Sequence, residues 1–246
     1  MFPSKYRLCE LFGIPVFVDM SFAFLLLLFT LNSGSFSFGL ATALLLAISI
    51  TAHELGHALT AALFGFKTRD ITLSLLGGCA SLISLPRKAW QELLTALAGP
   101  LVSFVLAAVT LLCLMVFPIE NYFLGSVLHY FMYMNFMLGA FNLLPGFPMD
   151  GGRIFRSVMR IFMSRSRATL AAMWVGRAFA VLLGIRGIHS IFTGGSWGFI
   201  SILIAWMIWR EGWREYQQAL AEDRWDGPWR QEDFNARVSP PPYGKD

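Results

Sequence analysis

Apolar residues run along this chain in long stretches broken by short polar ones, at roughly 14–31, 38–64, 92–117, 121–144, 171–192 and 197–209. About 20 mostly apolar residues cross the hydrocarbon core of a bilayer as a helix. The pattern therefore predicts six transmembrane spans, the last of them short. The first stretch is too long for the apolar core of a cleaved leader, and no small-residue cleavage site follows it. From Ile71 to Leu85 the pattern changes: apolar and Ser/Thr residues partly alternate around Gly77-Gly78, which reads as a β-hairpin. The expected fold class is an all-α polytopic membrane protein with about six transmembrane helices and a short β-hairpin between spans two and three. Residues 1–209 form the transmembrane domain. Residues 210–246 form a tail with an amphipathic start, carrying Trp213 and Tyr216 next to Trp209, and a disordered composition after Pro228.

Composition narrows the class. Of the 246 residues, 56% are hydrophobic and 14% charged, where a soluble domain carries about 25% charge. That excludes an ordinary soluble enzyme and a disordered chain. Cys9, Cys79 and Cys113 lie far apart with no CxxC pair, which excludes a disulfide scaffold; Cys79 and Cys113 read as small buried hydrophobes. The cations then test the span count. Lys5 and Arg7, then Lys67, Arg69, Arg87 and Lys88, then Arg153 to Arg167, then Arg210 onward occupy alternate connections, while Asn32 to Ser37, Pro118 to Asn121 and Thr193 to Trp197 hold none. The positive-inside rule reads this as six spans with both termini cytoplasmic. Spread over four segments, the cations form no nucleic-acid stripe, and the partner they indicate is the lipid bilayer. Arg177 and Arg186 alone lie inside a span; Arg177 reads as structural, paired or snorkelling.

The second stretch contains His53-Glu54-Leu55-Gly56-His57. Residues four apart share a helix face, so both imidazoles can grip one zinc ion with Glu54 beside them as general base. Three ionisable groups in one apolar turn are costly, and in a membrane such groups are functional by default. His57 precedes Lys67 by ten residues, about 15 Å of helix, so the motif lies within the membrane near its cytoplasmic side. A catalytic zinc usually takes a third protein ligand. Two prolines and Gly146 break the helix between Asn142 and Asp150, and irregular backbone at membrane depth lines protein or a wet cavity. Asp150 at the metal, and Asp150 as a solvated helix end, are equally open on the residues alone.

The HELGH turn, followed by Asn142-x-x-Pro145-x-x-x-x-Asp150-Gly151, resembles the site-2 protease family of intramembrane zinc metalloproteases. The likeness extends to Gly77-Gly78, Leu97-Ala98-Gly99-Pro100 and Val175-Gly176-Arg177, over roughly residues 10–210. It implies a zinc-dependent endopeptidase with one Zn2+ per chain, held by His53, His57 and Asp150, with Glu54 activating water. Asn142 and Pro145 would position substrate, and the hairpin at Gly77 and Gly78 would be membrane-associated, its edge able to pair with an extended substrate. It further implies regulated intramembrane proteolysis in the cell (inner) membrane. The substrate would be a membrane-tethered transcription regulator or a remnant signal peptide, under a regulatory membrane partner. Departures exist. No CBS pair or PDZ domain is recognisable. Relatives often carry a His where this chain has Asp19 and Ser21, and Asn where it has Ser103; neither change is expected to touch the ligands. Two rivals stand beside this reading. One is a membrane zinc protease of another family using Glu222 in Glu222-x-x-x-Asp226 as third ligand; the other is a non-enzymatic metal transporter or scaffold.

Overall fold

The computed structural model describes residues 5–31, 33–74, 77–83, 88–194 and 198–225. It is mostly helical with one small sheet, and it divides into two compact units: Met1–Pro145 with Met149–Val158, and Gly146–Pro148 with Met159–Asp246.

The first unit opens with β1 (Lys5–Leu11) and β2 (Ile14–Asp19), joined through Phe12 and Gly13. Both turn residues have positive φ (52° and 78°), the backbone a tight two-residue hairpin demands. Asp19 then starts α1 (Met20–Leu31) by accepting a hydrogen bond from Ser21 N at 2.8 Å, an N-cap contact. Helix α2 (Phe36–Leu63) follows, and its end is built by a glycine: Gly65 takes φ 83° while Phe66 N donates to Ala61 O at 3.0 Å and Gly65 N to Ala62 O at 2.9 Å. This is a Schellman stop, and it sets the HELGH turn in the last third of α2. The chain then adds β3 (Thr68–Ser74) parallel to β2, and β4 (Gly77–Leu82) antiparallel to β3, giving a sheet in the order β1-β2-β3-β4. Ile14, Val16, Ile71 and Leu73 of the sheet pack with Phe22, Ile50 and Ala58 of α1 and α2 into one buried cluster. Helices α3 (Ala89–Val116), α4 (Tyr122–Asn142) and α5 (Asp150–Met159) complete the unit.

The second unit pairs α6 (Arg165–Phe192) with α7 (Gly198–Trp225). The helices run antiparallel, since Arg165 at the start of α6 bonds Glu222 near the end of α7 at 3.0 Å. At the other end a Cβ on Gly187 would lie 2.9 Å from Gly198 O, so glycine lets the backbones meet.

Among the described helices, α2, α3 and α6 are long and apolar enough to cross a membrane, and each matches one predicted stretch within a few residues. Three expectations need correction. The fold is not all-α: residues 14–19, expected to begin a span, are strand β2, leaving α1 only 12 residues. Val16, Phe17 and Val18 suit a strand as well as a helix, and the Phe12-Gly13 turn folds them back onto β1. The hairpin of β3 and β4 is present, but as half of a four-stranded sheet. Its glycines are not the turn, because Ser74 pairs with Gly77, so Gly77 and Gly78 begin β4. At the other end, the amphipathic stretch 210–222 is no separate element: it continues α7 unbroken.

Candidate metal centre

All the groups of this site belong to the first unit. Four residues apart on α2, His53 and His57 present their rings to one point, with ring centroids 4.9 Å apart. Asp150, the first residue of α5, brings Oδ2 to 3.1 Å from Nε2 of both rings. One ligand atom from each of the three lies within 4.8 Å of the others, and all three residues are buried. The irregular stretch after Asn142 makes this approach possible. At Gly151 a Cβ would lie 2.2 Å from Leu144 O and 2.3 Å from Leu143 O, so glycine lets α5 start tight against the end of α4.

The donor chemistry fits a metal ion. His57 Nδ1 donates to the backbone carbonyl of Thr95 at 2.7 Å, which leaves a lone pair on Nε2 in the neutral ring. That lone pair and the Asp150 carboxylate are both acceptors, an arrangement suited to a cation between them. The Ser103 hydroxyl lies 2.9 Å from His53 Nδ1 and fixes the second ring similarly. Such partners orient metal-ligating histidines. Nitrogen and carboxylate donors in a set of two His and one acid match zinc.

Helix α3 is the platform. It supplies Thr95 O and Ser103 Oγ, and between them Gly99 presents bare backbone: a Cβ there would stand 2.2 Å from His57 Nε2 and 2.7 Å from His53 Nε2. It also anchors α5, because Arg156 Nε donates to Glu92 Oε1 at 2.8 Å, with both side chains almost wholly buried. Sequence reasoning missed Thr95, Gly99 as a contact, and the Glu92–Arg156 pair. It also misjudged Ser103, which touches a candidate ligand directly. The one signal was the Leu97-Ala98-Gly99-Pro100 match to the family.

Glu54 is held by the sheet. Its Oε2 accepts from Ala80 N on β4 at 3.0 Å, and a Cβ on Gly78 would lie 2.4 Å from Glu54 Cγ. The strand therefore lies directly against the candidate base, and Gly78 is there to permit it. Gly77, at φ 108°, needs the freedom of glycine for its own backbone. Asn142 donates from Nδ2 back to Leu138 O at 3.0 Å, and Pro145 is half-buried in the turn beyond; among the described residues no hydrogen bond joins either to the histidines. Glu222 instead pairs with Arg165, and Asp226 falls outside the described residues. Cys79 is exposed and Cys113 partly so, against the expectation of buried hydrophobes.

Comparison with known proteins gives the family. A profile described as peptidase family M50 matches residues 41–124 and 119–183. A Synechocystis sp. protein named as a zinc metalloprotease is 34% identical over 83% of this chain and 58% of its own length. A zinc metalloprotease of Methanocaldococcus jannaschii is 35% identical over 75% of this chain and 54% of its own length. This chain thus spans a little over half the length of those relatives. A solved site-2 protease from M. jannaschii superposes with a TM-score of 0.66 at 31% identity, covering 86% of this chain and 95% of that one. Matched over most of its length, with two histidines and an aspartate converging beside a glutamate, the chain belongs to peptidase family M50 and is an integral membrane protein.

Proposed function

We propose that this protein is an intramembrane zinc metalloprotease that hydrolyses peptide bonds within or near transmembrane segments of membrane-tethered proteins. The observation that supports it best is the convergence of His53, His57 and Asp150 within 4.8 Å, with Glu54 adjacent to His53 on the same helix turn. A zinc ion held by the three would supply Lewis-acid polarisation of a peptide carbonyl and make water acidic enough to attack near neutral pH. Glu54 takes the proton from the attacking water and returns it to the leaving amine. His53 and His57 hold their orientation through Ser103 and Thr95. Asn142, Pro145, Gly77 and Gly78 bear on substrate. A peptide bond inside a helix is shielded by its own turns, so the substrate must be extended before attack, and the β4 edge beside Glu54 is where an extended segment can pair. The chain crosses the cell (inner) membrane six times with both ends in the cytoplasm. Its substrates are membrane-tethered transcription regulators or remnant signal peptides, under a regulatory membrane partner.

Purified full-length protein incubated with a panel of single-span substrates tests this. Glu54→Gln should lose cleavage by about 100-fold or more, the usual worth of a general base, while keeping one zinc per chain. Asp150→Ala should lose the metal and Glu222→Ala should keep it; the reverse would assign the third ligand to Glu222. A zinc-loaded wild type that cleaves none of the panel favours the transporter or scaffold.

A further inference from the structure

In the second unit, the guanidinium of Arg177 lies among three indoles: 5.1 Å from the Trp174 ring, 4.5 Å from Trp209 and 5.5 Å from Trp213. Those rings are its partners among the described residues, and none is an anion. Its Nε is enclosed without a hydrogen-bond partner. Indole faces attract the positive charge but offer no acceptor for N–H groups, which point outward in the guanidinium plane. Beside this cage Arg210 lies 4.8 Å from the ring of Trp206, adding a second cation to the same stretch of α7.

The cage sits where the surface changes character. On one side, α6 exposes Val181, Leu182 and Ile185, and α7 exposes Phe199 and Leu203. On the other, α7 continues as Arg214, Glu215, Gln217 and Gln218, and Arg165 pairs with Glu222. Trp174, Trp206, Trp209 and Trp213 are each about half exposed at the junction (58%, 54%, 45% and 46%). A ring of half-exposed tryptophans between an apolar and a polar surface marks a membrane–water interface. Lipid phosphates lie at that depth. A phosphate diester brings the two things the cage lacks, in-plane oxygen acceptors and a negative charge, and guanidinium binds it through paired hydrogen bonds.

We propose that Arg177, walled by Trp174, Trp209 and Trp213, binds the phosphate of an anionic phospholipid headgroup. This rests on the reading of α6 and α7 as membrane-embedded, but not on proteolysis. Native mass spectrometry of full-length protein, with a phosphatidylglycerol or a phosphatidylcholine of identical acyl chains added, tests it. Wild type should retain one phosphatidylglycerol at least tenfold more than the phosphatidylcholine. Arg177→Gln should abolish that preference, and Trp209→Leu should weaken it while leaving zinc content and cleavage unchanged. Excess inorganic phosphate should not displace the lipid; displacement would assign the site to a free anion and overturn the proposal. Equal retention of both lipids by wild type, or an unchanged preference in Arg177→Gln, also overturns it. As a measurement without variants, phosphatidylglycerol with a photoreactive headgroup should crosslink wild type within residues 174–177 or 209–213; labelling confined elsewhere overturns the assignment. A protein that retains neither lipid and yet cleaves substrates sinks this proposal alone, whereas one that retains the lipid but cleaves nothing sinks only the proteolytic reading.

Discussion

Gly99 has no side chain because the imidazole of His57 fills the space one would need. That yields a prediction in which two measurements move apart. Alanine at an exposed helix interior position is favoured over glycine by about 1 kcal/mol, yet here its Cβ would stand 2.2 Å from Nε2. Gly99→Ala should therefore leave the purified protein helical while zinc affinity falls at least tenfold, the range seen when a metal ligand's orientation is disturbed. Metal content and far-ultraviolet circular dichroism of the same sample check it; full zinc occupancy would mean that the rings face another way. At this scale the sequence was most legible for residues whose chemistry is rare in an apolar context: His53, Glu54 and His57 stood out because a membrane tolerates few of them. Thr95 and Ser103 were illegible. Thr95 acts through a backbone carbonyl that every residue owns, and one more serine in a helix carries no mark of the histidine opposite.

Among the elements, α3 does more than cross the unit. It orients both histidines and, through Glu92, holds the helix that begins with Asp150. The Glu92–Arg156 pair is buried, so removing one partner strands the other's charge, at a cost of about 3–5 kcal/mol. Glu92→Gln should lower the thermal midpoint in detergent and reduce bound zinc by loosening α5. Replacing both residues together, as Glu92→Leu with Arg156→Met, should recover most of the stability, since no lone charge remains. Equal destabilisation by single and double variants would show that the pair does not act as a unit. The elements themselves were unevenly readable. Uninterrupted apolar runs gave α2 and α3 nearly to the residue. Strand β2 was hidden inside such a run, because Ile14 to Val18 is apolar on both faces and periodicity then separates strand from helix poorly. What decides for strand is pairing: β1 on one edge, through the local Phe12-Gly13 turn, and, across the whole of α1 and α2, β3 on the other.

For the whole molecule the open quantity is the number of crossings. Helix α1 has 12 residues and rises only about 18 Å, against a core of about 30 Å, while the alternation of Lys and Arg requires it to count as a span. Topology reporters decide between these. Fusions at either terminus and near Arg87 should report the cytoplasm, and insertions at Ser35 and Glu120 the opposite side. Ser35 on the same side as the N-terminus would remove α1 from the crossings and reverse the sidedness of every span after it.

By itself the amino-acid order determined the membrane as solvent, the helices α2, α3 and α6, the His53–His57 turn as a candidate metal site and the ordered pair of motifs. These are local signals: hydropathy over a span's length, a four-residue helical repeat, and residue types too costly to place idly in an apolar stretch. On the residues alone Asp150 stayed open between ligand and helix cap. Only the tertiary structure decided that it meets His53 and His57, that strands cover residues 14–19, and that Ser103, Thr95 and Gly99 shape the site. Each of those depends on segments distant in sequence arriving at one place, where backbone carbonyls, a hydroxyl and the absence of a side chain acquire their roles from what stands opposite them.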